Sequence, residues 1–213
     1  MRKLKVGFFL FIVLFLFSLC FMGKGEVNAD LRVALPSSSH IFGCDTLGRD
    51  LFQRVCFGTV LSISISTFVS TLSVALASFS AIVSFRNKKL QSFLLTLVSA
   101  FKSIPTVLVG LLFASFFGGG VFSVMSALVL SCTFSSIRVL DVKVKEIESE
   151  EYIVSLEALG LKKGRIVFFH ILPSLFPIMR EEWATVMITA ILSESASSSL
   201  GAGIERSTPT LGS

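Results

Sequence analysis

From Gly58 to Phe85, and again from Val121 to Ile137, the chain runs without one charged side chain. Runs of that length approach what a helix needs to cross a hydrocarbon core of about 30 Å. Within lipid every backbone N–H and C=O must be satisfied by the chain itself, which leaves helices or closed barrels. The apolar runs do not alternate with polar residues as barrel strands do, so the pattern predicts helices. Composition agrees: 53% of the residues are hydrophobic, 15% are charged and 22 are Phe, with a mean hydropathy of +0.83. A soluble domain could not bury so much apolar surface. The expected fold class is therefore all-α, a polytopic transmembrane helical bundle. The net charge of +5 could suggest nucleic acid, but its Lys and Arg lie in loops beside apolar spans, which is a topology signal.

Five spans are expected. Arg2, Lys3 and Lys5 precede the first, Val6 to Met22, which as a helix would be about 26 Å long. The alternative is a cleaved signal peptide, because Val27-Asn28-Ala29 resembles a small-residue cleavage site. Either reading leaves Asp30 outside. The second span is Gly58–Phe85, followed by Arg86, Lys88 and Lys89 as a cytoplasmic turn. The third is Gln91–Phe117, kinked at Pro105. Gly118-Gly119-Gly120 makes a tight outer turn before the fourth, Val121–Ile137. A charged loop, Arg138–Arg180, leads to the fifth, Trp183–Leu200. The Lys and Arg placement alternates consistently with the N-terminus inside and this loop inside.

Inside the charged loop, Tyr152, Leu156 and Leu159 recur at helical spacing, and Gly160 stands where a helix C-cap falls. Lys162, Lys163 and Arg165 follow, and Pro173 and Pro177 close the segment. A membrane protein that exposes a half-apolar helix in a hydrophilic loop offers it to a soluble partner.

Two charges lie inside predicted spans. Glu194 belongs to the fifth, where a carboxylate costs about 2.5–3.5 kcal/mol on insertion scales and must face a cavity, a partner or water. Lys102 belongs to the third, and its long arm could snorkel. Two readings stand for both residues: they line a substrate path, singly or as a pair, or they serve helix packing. The Ser193, Ser195, Ser197, Ser198 and Ser199 cluster reads as small-residue packing. Cys20 and Cys132 read as small hydrophobes. Cys44 and Cys56 share the external segment, where a disulfide is an open alternative. His40 and His170 are isolated, and no metal or cofactor site is expected. No G-x-x-x-x-G-K-[ST] loop and no G-x-S-x-G elbow occurs, so catalysis is not expected here and ATP-driven work would need a second polypeptide.

The run from Glu150 to Pro177 resembles the cytoplasmic coupling loop of ABC-transporter permeases, above all the C-type permease of dipeptide, oligopeptide and nickel importers. Gly160 and His170-Ile171-Leu172-Pro173 fall where that family has them. His40 to Gly58 is similar to the family's segment before its second helix, matching at Gly43, Asp45, Gly48, Arg49, Asp50, Arg54 and Gly58. The tail from Ile191 to Gly212 resembles the family's fifth helix and the loop after it. The resemblance departs at Val154, Ser155 and Leu156, which stand at the signature Glu-Ala-Ala positions, with Glu157 the nearest acid. It departs again at Arg180, Glu181 and Glu182, where the family is mostly apolar, and at Val60, where an Arg is usual.

The resemblance implies a MetI-like permease core in the bacterial inner membrane. Residues 1–57 would be an anchor and external segment, and residues 58–213 the permease domain with its coupling loop at 138–180. It implies an importer of di- or oligopeptides, or of nickel or other small solutes. The implied partners are a B-type permease, two ATPase subunits, an external binding protein and membrane lipid, with no nucleic acid. The implied coupling residues are Tyr152, Leu156, Glu157, Gly160, His170, Leu172 and Pro173, on a helix that docks in a groove of the ATPase. The family continues past Ser213 into another spanning helix, so a C-terminally truncated, split or decayed permease is expected, the last being a non-transporting membrane protein.

Overall fold

The structure is a computed structural model that describes residues 31–199 and Thr210. The first predicted span, the cleavage-site alternative and most of the tail lie outside those residues. The long apolar runs become α1 (Leu51–Arg86), α2 (Lys88–Lys102), α3 (Thr106–Phe117), α4 (Val121–Glu148) and α7 (Leu172–Ser199). Two short water-side elements, α5 (Glu151–Ala158) and α6 (Lys163–Ile166), lie between α4 and α7, and a π-turn at Val167–Ile171 joins α6 to α7.

α1 is about 54 Å long, well over the hydrocarbon thickness. Its buried stripe reads Ser62, Ser66, Ser70, Ser73, Ala77 and Ala81, small residues at three- and four-residue spacing that let α4 and α7 approach closely. Two of these hydroxyls bond their own helix, Ser66 Oγ on Ile63 O at 3.0 Å and Ser70 Oγ on Thr67 O at 3.1 Å. Ser73 instead donates across to Val129 O of α4 at 3.3 Å. The opposite face carries Phe68, Leu72, Leu76 and Phe79, all exposed. Such a face fails in water and suits lipid or a membrane partner. α1 and α4 are each long and apolar enough to span a membrane.

The third predicted span is corrected in form. α2 and α3 meet at an angle of 87° across Ser103-Ile104-Pro105, far sharper than a proline kink. Pro105 has no N–H to continue α2 and disfavours helical geometry at Ile104. α3 is about 18 Å long, too short to cross alone. The predicted fourth span lies within the longer α4, whereas the fifth falls in α7, which is not among the described helices long and apolar enough to cross a membrane. α4 continues to Glu148, and α7 begins at Leu172, so Pro173 and Pro177, expected to close the charged segment, lie inside the helix that follows it. The π-turn accommodates this: the Leu172 N–H reaches Val167 O, five residues back, just before the proline that lacks a donor.

Two apolar clusters stack along the bundle. One holds Val69, Val124, Leu128 and Val186; the other, at the charged-loop end, holds Phe85, Leu140, Ile153, Ile166 and Leu175.

Ahead of α1, the segment resembling the family motif is a capping device. Asp50 is the α1 N-cap and accepts from Phe52 N at 2.8 Å and Gln53 N at 3.2 Å, while its other oxygen meets His40 Nδ1 at 2.8 Å. Asp45 accepts from the Leu47 and Arg49 amides and from Arg49 Nε. Gly43 has φ +72°, and a Cβ there would stand 2.4 Å from Ala34 O. Gly58 is tight for another reason: a Cβ would lie 2.9 Å from the Thr210 carbonyl carbon. Cys44 is a buried free thiol, so no Cys44–Cys56 disulfide closes this segment. Burial alone would raise both carboxyls. At Asp45 the Arg49 and Leu47 contacts outweigh it, and at Asp50 His40 and the two amides do, so both sit below the usual carboxylate range. Depressed folded values mean stability that is present above the unfolded value and lost as pH falls through the folded one. Hydrogen-exchange protection at the Leu47, Arg49, Phe52 and Gln53 amides, corrected for intrinsic rate, should therefore hold above about pH 4 and fall below it.

Candidate functional site

The water-side end of the bundle brings the predicted loop residues to one place. α5 is half-embedded. Ile153 is fully buried in the apolar cluster with Leu140, Val144 and Ile166, and Leu156 packs against the same cluster. Tyr152, Val154 and Leu159 point outward, with Leu159 77% exposed. The helix ends in a Schellman motif: the Gly160 N–H bonds Glu157 O at 3.0 Å, and the Leu161 N–H bonds Leu156 O at 3.2 Å. Gly160 takes φ +79°, as that cap requires, and Leu156 and Leu161 supply the accompanying apolar contact. The glycine placed at the C-cap from sequence does that work.

Tyr152 and His170 are far apart in sequence, yet their ring centroids lie 6.2 Å apart, because the π-turn presents His170 toward α5. Glu157 is exposed, with Lys163 Nζ at 3.9 Å, an ion pair worth little in water. Leu172 is half-buried and Pro173 exposed at the start of α7. Lys163 Nζ also stands 5.6 Å from the Phe85 ring centroid, which ties the basic run to the end of α1.

Sequence reasoning named Tyr152 and Leu156 but missed Ile153, the residue that anchors the helix. A period count could have found it, since Ile153, Leu156 and the later Leu161 share a face once the capping turn is included. It missed the π-turn altogether, because nothing in Val167–Ile171 distinguishes a five-residue turn from an α-turn.

Deeper in the bundle, acids meet neutral partners on other helices. Glu194 is 1% exposed; Ser62 of α1 donates to its Oε2 at 3.2 Å, and Ser198 donates to its Oε1 at 3.0 Å. Glu182 accepts from Ser136 of α4 at 2.8 Å, and Asp141 accepts from Gln91 of α2 at 2.6 Å and meets Lys145 at 3.0 Å. Lys102 is exposed at the end of α2 and lines a small cavity of about 120 Å³ with Thr106, Ser131 and Ser135. Among the described residues no ion pair joins Lys102 to Glu194. Of the tail serines, Ser197 is buried against Gly110, where an added Cβ would stand 3.3 Å from its Oγ. No group of three or more His, Cys, Asp or Glu that could hold a metal occurs among the described residues.

A family model for the binding-protein-dependent transport system inner membrane component matches residues 73–213. The chain is 30% identical over 207 residues to a dipeptide transport system permease protein of Alkalihalophilus pseudofirmus, a match covering 96% of this chain and 67% of that one. It is 27% identical over 179 residues to the oligopeptide transport system permease protein of Bacillus subtilis, covering 84% and 58%. Against the dipeptide permease of Bacillus subtilis it is 26% identical over 204 residues, covering 92% and 64%. The chain thus spans roughly three fifths to two thirds of the length of these relatives.

Proposed function

The chain belongs to the family of binding-protein-dependent transport system inner membrane components, and we propose that it is the C-type permease of an ATP-driven importer of di- and oligopeptides. Residues 58–213 form its permease domain, with the 138–180 loop inside the cell, and residues 1–57 form an anchor and external segment. The pairing is with a B-type permease, two ATPase subunits and an external binding protein. The relatives carrying dipeptide and oligopeptide names favour peptides over nickel or another small solute.

The observation that carries this reading is the half-embedded state of α5. A helix of eight residues is marginal alone in water. Here one face is locked into the bundle by Ile153 while Tyr152, Val154 and Leu159 stay outside. That makes a rigid knob continuous with α4 and, through the π-turn, with α7. A docked ATPase that pushes the knob moves both helices, and movement of packed helices about an interface is the ordinary route to alternating access. Tyr152, Leu156, Glu157, Gly160, His170, Leu172 and Pro173 shape the knob and its base.

The test changes the knob's outer face alone. The double substitution Val154→Asp and Leu159→Asp alters exposed side chains, so chain stability should stay within about 0.5 kcal/mol. Co-purification of the ATPase should fall at least about tenfold, the loss of about 1.4 kcal/mol of docking, and labelled dipeptide uptake should fall with it. Unchanged co-purification would remove α5 from the docking surface.

A further inference from the structure

Arg180 is a residue the transport reading leaves without work. It departs from the family pattern, is exposed, and has no ion-pair partner among the described residues. It lines a groove of about 500 Å³ between α1 and α7, together with Phe176, Met179 and Trp183 of α7 and Thr71 and Val74 of α1. Apart from Arg180 and the Thr71 hydroxyl, these lining side chains are apolar or aromatic. The neighbouring acid Glu182 is turned away to Ser136. The Trp183 indole N–H donates to Thr71 Oγ1 at 3.1 Å, which fixes the ring as one wall.

Depth identifies the occupant. From Trp183 to Ser199 the helix rises about 24 Å, most of a hydrocarbon core of about 30 Å. On the proposed topology, in which the charged loop ends at Arg180 and the fifth span opens at Trp183, Trp183 stands at the boundary facing that loop and Arg180 about one turn further out, at head-group level. An indole at the boundary beside a cation is the membrane-interface pattern. A guanidinium presents paired donors that fit a phosphate, while the groove above it offers an apolar wall to an acyl chain. We propose that this groove binds an anionic phospholipid of the inner leaflet, with Arg180 on the head-group phosphate and a chain lying along Trp183, Met179 and Val74. The depth and leaflet assignments rest on the topology proposed above; the anion preference does not depend on transport or on any ATPase.

Trp183 is the chain's single tryptophan, so its fluorescence reports this groove and no other. The experiment places the full chain in phosphatidylcholine vesicles containing brominated phosphatidylglycerol or brominated phosphatidylcholine and measures quenching of Trp183. The expected result is an approximately fivefold preference for the anionic lipid, the equivalent of the ~1 kcal/mol one basic residue contributes near a charged surface. Arg180→Gln should bring the ratio to about one, and Arg180→Lys should retain most of it. Raising the salt should shrink the wild-type preference without any substitution, which keeps the test decisive if a variant folds poorly. Equal quenching by the two lipids in the wild type, or a preference that survives Arg180→Gln, would overturn the proposal. Quenching by neither lipid would overturn it too, because protein would then fill the groove.

Discussion

Replacing Ile153 by Asp is expected to detach the water-side helix from the bundle and to uncouple nucleotide hydrolysis from uptake while the chain still inserts. Ile153 is fully buried among Leu140, Val144, Ile166 and Ile171. A carboxylate there has no base to meet, and leaving a buried charge uncompensated costs about 3–5 kcal/mol. Detachment is the cheaper outcome. The α5 helix has eight residues, and its own propensity cannot hold it folded in water. The long α1, α4 and α7 pack through separate contacts and do not need it. Membrane insertion and bundle stability should therefore be near normal. Protease cleavage between Glu148 and Lys162 should rise sharply, and dipeptide uptake in the assembled importer should fall by more than about tenfold. Ile153→Val removes one methylene, costs about 0.5–1.5 kcal/mol and should leave uptake nearly intact. If Ile153→Asp leaves both cleavage and uptake unchanged, α5 is not held by this side chain and the rigid-knob account is wrong.

Much of this arrangement could be read from residues alone, and the reasons are specific. Runs free of charge revealed α1 and α4, because lipid admits little else. Gly160 revealed the end of α5, because a Schellman cap needs a positive φ that other residues resist. Asp50 and its neighbours matched a pattern that lies before a helix expected to open at Gly58; the structure opens α1 earlier, at Leu51, and supplies the cause, a side chain capping two amides.

What stayed hidden was geometry that many sequences share. Pro105 announces a break but not its angle, and the 87° turn depends on how α2 and α3 each find α4, as in the Phe101–Phe134 stack at 4.5 Å. Pro173 and Pro177 read as terminators because a proline removes a donor, yet the π-turn before them lets the helix run on. The partners of the buried acids were likewise invisible, since nothing near Glu194 in sequence points to Ser62, 132 residues away.

The Glu194 partnership leads to the second large effect. Lys102 was the obvious countercharge by composition, but the structure gives Glu194 two hydroxyl donors, Ser62 and Ser198, and leaves Lys102 exposed where α2 ends. The carboxyl thus joins α1 to α7 by accepting, and any replacement must keep an acceptor. Glu194→Gln keeps one, and it should lose less than about 1 kcal/mol of bundle stability. Glu194→Ala removes the carboxyl acceptor that both serines share and opens a cavity, a loss of about 2–4 kcal/mol. Glu194→Lys is the severest, because it brings a cation with no acid opposite into a buried site. Uptake should fall by more than about tenfold. If Lys102 were the true partner, Lys102→Glu would rescue that variant by restoring an inverted pair. The geometry predicts no rescue: uptake in the double variant should match Glu194→Lys alone, with a coupling energy within about 0.5 kcal/mol of zero. Substantial recovery in the double variant would show that the two charges meet during the transport cycle, and the Ser62–Glu194 link would then be a resting contact that has to break.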